Sequence, residues 1–252
     1  MMALLKENIP PFVWDATRSI YVYMLRLFLD ILQTASFIHP INWIHTLFLV
    51  RMVRPEYTMV RPPRLRVLYE LSQKINSRRV EGDIVECGVY NGGSAAMMAA
   101  PQVSNKVRHI WLFDSFEGLP LPTEDDGVYE RENYHNGWCE GSIEKVKEIF
   151  QSIDFPNQRL HITKGWFENT LPRETQKIRQ IALLHIDADW YESVKICLET
   201  FYPKVSKGGY IVIDDYGKWE GCKKAVDEYL SGNNIRADFK TRDNAGYYFR
   251  NP

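Results

Sequence analysis

Asp83-Ile84-Val85-Glu86-Cys87-Gly88-Val89-Tyr90-Asn91-Gly92-Gly93-Ser94, followed by Ala95-Ala96-Met97-Met98-Ala99-Ala100, is the stretch on which the fold turns. A short apolar run enters a glycine-rich turn, and strong helix formers follow at once. The same alternation continues downstream. Residues 109–114 (HIWLFD) read as a second strand ending in an acid, and 142–151 as a helix with Ser142 as N-cap and Glu144 in its first turn. Residues 160–163, 181–187 (IALLHID) and 209–214 (GYIVID) read as further strands. Helices over 192–201 and 221–230 follow the last two, and 239–249 suggests a final hairpin. Upstream, Leu65, Leu68, Leu71 and Ile75 recur at helical spacing and predict an amphipathic helix over 64–78. Strands alternating with helices predict an α/β, Rossmann-like fold: a mostly parallel sheet with helices on both faces.

The length of 252 residues suits one such domain plus an appendage. A formal net charge of -1 offers no field for nucleic acid, so none is expected as a partner. Cys87, Cys139, Cys197 and Cys222 lie far apart without a CxxC spacing, which implies neither zinc nor a disulfide framework and fits a cytoplasmic setting. The N-terminus does not read as a signal peptide, because Asp15 and Arg18 interrupt it early. Between Asp30 and Arg51 no residue is formally charged, yet Gln33, Thr34, Ser36, His39, Asn42 and His45 make the stretch too polar for a membrane span. His39-Pro40 reads as a break between two helices. The first carries a polar stripe of Ser19, Arg26, Asp30 and Gln33, and is otherwise apolar. That surface calls for a cover: the domain itself, a second subunit in a homo-oligomer, or the surface of a membrane. Composition shifts at Arg54-Pro55 and again at Arg61-Pro62-Pro63, so residues 1–55 are taken as a helical extension and 56–252 as the domain.

In open α/β sheets, ligands bind beyond the carboxyl ends of the strands. The unusual polar residues fall there: Glu86 with its glycines, Asp114, Asp187 with Asp189, and Asp214 with Asp215. The turn Glu86-x-Gly88-x-x-x-Gly92-Gly93 has neither dinucleotide order nor a P-loop lysine. Its leading acid suits a ligand with an ammonium group, and Asp114 is placed to accept from ribose hydroxyls. Together they describe an adenosyl amino acid. Carboxylates converging from Asp187, Asp214 and Asp215 without basic partners would repel one another unless a cation neutralised them, and all-oxygen ligands favour Mg²⁺. Helix capping could account for Asp189 or Asp215 singly. A metal there would acidify an acceptor hydroxyl, with Asp189 as general base. His185, inside its strand, reads as packed.

The chain resembles the macrocin O-methyltransferase family through VECGVYNGGSA (85–95), LFDSFEGLP (112–120), KGWFENTLP (164–172), LLHIDADWYESV (183–194), GGYIVIDDYG (208–217) and WEGCKKAVDEY (219–229). The resemblance implies a class I methyltransferase fold with a seven-stranded sheet, and Mg²⁺-dependent methyl transfer from S-adenosylmethionine to a sugar hydroxyl of a small-molecule or glycan acceptor. It implies cofactor contacts at Glu86, Gly88, Tyr90, Asn91, Gly92, Ser94, Asp114, Ser115, Gly165, Trp166 and Asp187. It also implies metal ligation by Asp187, Asp214 and Asp215, with Asp189 as base. Thr58-Met59 matches a segment that closes over the cofactor, although Pro62-Pro63 after it depart from the pattern. Residues 117–141 show little periodicity, and their length suggests either a lid whose aromatic residues stack on a sugar or a solvated excursion. Two alternatives stand beside this reading. One is a catechol-like phenol as acceptor, disfavoured because Trp190-Tyr191 stand where related enzymes carry lysine. The other is a catalytically silent nucleotide-binding scaffold.

Overall fold

A computed structural model describes residues 40–104 and 107–252 of the chain. The expected apolar, polar-striped helix and its covering surface lie outside these residues. Among the described residues, no helix is long and apolar enough to cross a membrane. The chain divides into compact units at Met1–Phe48 and Leu49–Pro252, and the second contains the sheet.

The strands are β1 (Asp83–Cys87), β2 (Ile110–Asp114), β3 (Leu160–Lys164), β4 (Ile181–Ile186), β5 (Val205–Ile213), β6 (Lys240–Thr241) and β7 (Tyr247–Arg250). They form one seven-stranded sheet in the order β3-β2-β1-β4-β5-β7-β6. The first five are mutually parallel, and β7 runs antiparallel to both β5 and β6. The strand order reverses between β1 and β4, which opens a crevice at their carboxyl ends.

The last residues of α1 (Pro40–Val53), from Leu49 on, contribute to the core on one face with α2 (Pro62–Ser77), α3 (Gly93–Ala99) and α5 (Ile143–Ser152); α6 (Phe167–Glu174), α7 (Tyr191–Phe201) and α8 (Glu220–Gly232) cover the other. A short helix, α4 (Val128–Asn133), lies in the segment after β2. The pleat sorts each strand between the faces: Ile84 packs with the first helix set, Val85 and Cys87 with the second. By that parity Glu86 points toward the first face, and its partner in register on β4 is His185. Each fully buried Leu, Ile or Phe contributes about 1.5–3 kcal/mol, so the sheet is a rigid base for the residues at its rim.

Local signals explain the helix starts. Pro62 and Pro63 open α2, where missing N–H groups cost nothing, so they punctuate the chain rather than disrupt it. The Ser142 hydroxyl accepts from the Lys145 N–H at the start of α5, as its sequence predicts. Helix α6 has no clear counterpart in the sequence reading, because Pro172 interrupts its pattern.

Candidate active site

A cavity of about 1070 Å³ opens over the carboxyl ends of the strands. Thr58, Met59, Gly88, Tyr90, Ser94, Asp114, Ser115, Trp166, Asp187, Asp189, Asp214 and Asp215 line it. Four other residues singled out in the sequence, Glu86, Asn91, Gly92 and Gly165, stand behind its wall. The Asn91 side chain donates to the Glu56 carbonyl (2.9 Å) and accepts from the Ser142 N–H (2.9 Å), tying three segments together. Gly92 sits at the N-cap of α3 with φ 86°, and the Gly165 N–H donates to the Asp114 carbonyl at 2.9 Å. Gly88 has φ 83°, and a Cβ there would collide with the Asp187 carbonyl oxygen. The glycine is what lets β1 and β4 end side by side.

Asp114 is buried, and its carboxylate organises the turn. Its Oδ2 accepts from the N–H groups of Val89 (2.6 Å) and Tyr90 (2.9 Å), while Oδ1 accepts from Phe116 N–H (2.6 Å). Burial pushes its pKa up, against the opposing pull of those amides. Oδ1, with one such bond, retains acceptor capacity, so a hydroxyl at the cavity wall could still bond to it.

Behind the wall runs a chain of alternating charge. Glu86 Oε1 lies 2.7 Å from His185 Nδ1, and His185 Nε2 lies 3.7 Å from Asp214 Oδ1. Burial alone would keep His185 neutral, but the nearby carboxylates of Asp214 and Glu86 outweigh it and lift its pKa to about 10. Arg64 of α2 then pairs with Asp214 Oδ2 through Nη1, and with Asp243 through Nε at 2.8 Å. Burial pushes the Asp214 carboxyl up, but His185 and Arg64 together hold it below its ordinary value. The premise that the acids converge without basic partners is therefore corrected. Arg64 lies 150 positions from Asp214 in the chain, too far for spacing to reveal. His185 is packed, as its sequence position implies, and the carboxylates around it favour its protonated form.

Asp187, Asp189 and Asp215 are the acids this chain of charges does not neutralise. Burial, then Asp214 and Asp215, raise Asp187 well above the carboxylate range. Burial, then Asp189 and Asp214, do the same to Asp215. Asp189 rises to about 6, chiefly by burial, while its bond from Trp219 Nε1 (2.6 Å) pulls the other way. One ligand atom each from Asp187, Asp189 and Asp215 lie within 4.8 Å of one another, as do atoms of His185, Asp187 and Asp214. Asp215 Oδ2 is buried and accepts no hydrogen bond. An all-oxygen, electron-rich cluster with an orphaned buried carboxylate oxygen fits a hard divalent cation. Asp187 is common to both sets, whereas Asp214 and Asp215, expected from the sequence to share one metal with it, fall in different sets.

Residues 117–141 form the far wall. Leu119 N–H donates to the Trp138 carbonyl at 2.8 Å, and Trp190 Nε1 donates to the Pro120 carbonyl at 2.9 Å. Trp138, Trp190 and Trp219 meet edge to face, with centroids 5.8 to 6.4 Å apart. Lys218 Nζ lies 3.9 Å from the Trp219 ring centroid. Trp190 and Trp219 stood in the sequence without an assigned role. Their position next to the acidic motifs was the available signal.

A central sheet in this order, with a glycine turn after β1 and acids after β4 and β5, has the class I methyltransferase arrangement. The macrocin O-methyltransferase (TylF) family matches residues 52–251, and the chain belongs to that family. It is an S-adenosylmethionine-dependent O-methyltransferase. Demethyldecarbamoylnovobiocin O-methyltransferase of Streptomyces niveus is 35% identical over 199 residues, covering 77% of this chain and 75% of the relative. The 8-demethyl-8-(2,3-dimethoxy-alpha-L-rhamnosyl)-tetracenomycin-C 4'-O-methyltransferase of Streptomyces olivaceus is 33% identical, with the same coverage of both chains. The solved structure of the O-methyltransferase NovP superposes with a TM-score of 0.71 at 31% identity, covering 90% of this chain and 98% of that one.

Proposed function

We propose that this chain methylates a sugar hydroxyl of a glycoside, using S-adenosylmethionine and Mg²⁺. The observation that carries the reading is the convergence of Asp187, Asp189, Asp214 and Asp215 on a cavity lined by four tryptophans, three of which meet edge to face. A flat indole beside acidic hydrogen-bond acceptors suits a sugar, whose C–H face stacks while its hydroxyls bond. A relative named for a rhamnosyl compound supports the same acceptor class.

On this reading the glycine turn and Asp114 hold the nucleoside end of the cofactor. Asp187, Asp214 and Asp215 would hold Mg²⁺, which when bound lowers the pKa of a coordinated hydroxyl. Asp214 Oδ1 is the oxygen available for that purpose, because Arg64 takes Oδ2. Asp189 takes the hydroxyl proton. Trp219 fixes its Oδ1, which leaves Oδ2 for the acceptor. A base lifted toward neutrality is well matched to this task. The sulfonium is a good leaving group, so alignment and deprotonation suffice for transfer.

The acceptor class is tested by initial rates with aryl α-L-rhamnosides and related 6-deoxyhexosides against simple catechols. Methylated rhamnoside with inert catechol is the expected result. Preferential catechol methylation would transfer the site to the phenol reading.

A further inference from the structure

Helix α7 begins at Tyr191, two positions after Asp189, and α8 at Glu220, five positions after Asp215, with Trp190 and Trp219 at their N-caps. Neither tryptophan supplies a side-chain cap, so the first amides of both helices need acceptors from elsewhere. Both acceptors come from the segment after β2. Asp126 Oδ1 accepts from Tyr191 N–H at 2.8 Å, and Glu130 Oε1 accepts from Glu220 N–H at 3.3 Å. The two acids are 4% and 3% exposed, depths at which a carboxylate is rarely found unless it is paired. Asp126 Oδ2 also takes the Thr123 N–H (2.7 Å) and hydroxyl (3.2 Å), which closes the segment on itself. Gly221 carries the same message. A Cβ there would fall on Asp126 Oδ1, so the first turn of α8 is bare where the loop carboxylate enters.

We infer that Asp126, with Glu130 beside it, is a positioning residue that clamps the 119–141 wall onto the helices that follow the acidic motifs. The wall that presents Trp138 to the acceptor is thus registered against Asp189 and Asp215. It works as a fixed template, not as a flap that swings with each turnover. Caps supplied from a distance do two jobs: they satisfy the helix starts, and they fix the distance between acceptor wall and acids. The acceptor role of this wall rests on the proposed function; the clamp itself does not.

Hydrogen exchange on Asp126→Ala and Asp126→Asn tests the clamp without an acceptor. In Asp126→Ala, amides of 119–141 should exchange about tenfold faster, the scale expected for losing one cap, while those of β1 and β4 keep their protection. Binding of S-adenosylhomocysteine should stay near wild type. Asp126→Asn, whose amide oxygen still accepts from Tyr191 N–H, should recover most of the protection. With p-nitrophenyl α-L-rhamnoside, KM should rise about tenfold in Asp126→Ala with a smaller change in kcat. Unchanged exchange over 119–141, or an equal loss of protection in β1 and β4, overturns the clamp. A wild type that methylates no rhamnoside counts against the proposed function, and the exchange data still decide on the clamp.

Discussion

Replacing Asp189 by Asn should slow the enzyme and steady the fold, two effects of opposite sign from one atom. Loss of a general base costs about a hundredfold in turnover, roughly 2.7 kcal/mol of transition-state stabilisation. The variant keeps an oxygen for Trp219 Nε1, 2.6 Å from Asp189 Oδ1, so the side chain stays in place. Burial meanwhile lifts the Asp189 carboxyl from its ordinary 3.8 to about 6. Discounted for its partial exposure, that penalises the folded, metal-free state by on the order of 2 kcal/mol at neutral pH. A neutral acceptor bonds Trp219 less strongly, which returns about 1 kcal/mol. The net gain of about 1 kcal/mol should raise Tm by about 2–4 °C in metal-free buffer. The sign follows from linkage. A carboxyl with a raised folded pKa destabilises as pH climbs through about 6, and its penalty is gone near its unfolded value, so the Tm advantage should narrow in acid. Transfer of a tritiated methyl group to rhamnoside measures the rate, and calorimetric unfolding in chelator measures the stability. Wild-type-like turnover removes Asp189 from the mechanism, and a lowered Tm refutes the repulsion.

Mg²⁺ affinity should strengthen with pH between about 5 and 7, because Asp187, Asp215 and Asp189 all hold protons more tightly than ordinary carboxyls and must release them to a cation. Titration calorimetry in buffers of different ionisation enthalpy reads that release, and a pH-independent affinity would contradict it. Arg64→Met should destabilise the metal-free protein by about 3–5 kcal/mol, the usual cost of stranding a buried ion-pair partner. Both Asp214 and Asp243 lose their guanidinium in that variant, and added Mg²⁺ should recover part of the Tm. A loss that Mg²⁺ does not touch would separate Asp214 from the metal.

The alternation from Asp83 to Asp214 made the α/β sheet legible, because strand and helix periods differ and glycine marks the turns. The acids were legible for the same reason: each stands one step beyond an apolar strand. What surrounds them was not. Arg64 reaches Asp214 from a helix preceding β1, and no local pattern announces that contact. The contact between His185 and Glu86 depends on the two lying opposite each other in register, a fact of strand order rather than of sequence. Glu86 suggested an ammonium ligand, yet the pleat turns it away from the cavity toward that histidine. Asn91, Gly92 and Gly165 belong to the turns that shape the cavity rather than to its surface. The irregular stretch after β2 looked like a loop because its acids serve helices some 65 and 90 residues away.

The central claim is metal-assisted methyl transfer to a sugar. The most direct test is transfer of labelled methyl from S-adenosylmethionine to an aryl 6-deoxyhexoside, with chelator and then with Mg²⁺ restored. Activity lost in chelator and recovered with Mg²⁺ is the result predicted. Undiminished transfer in chelator would contradict it, leaving the acid cluster as base and scaffold without a metal.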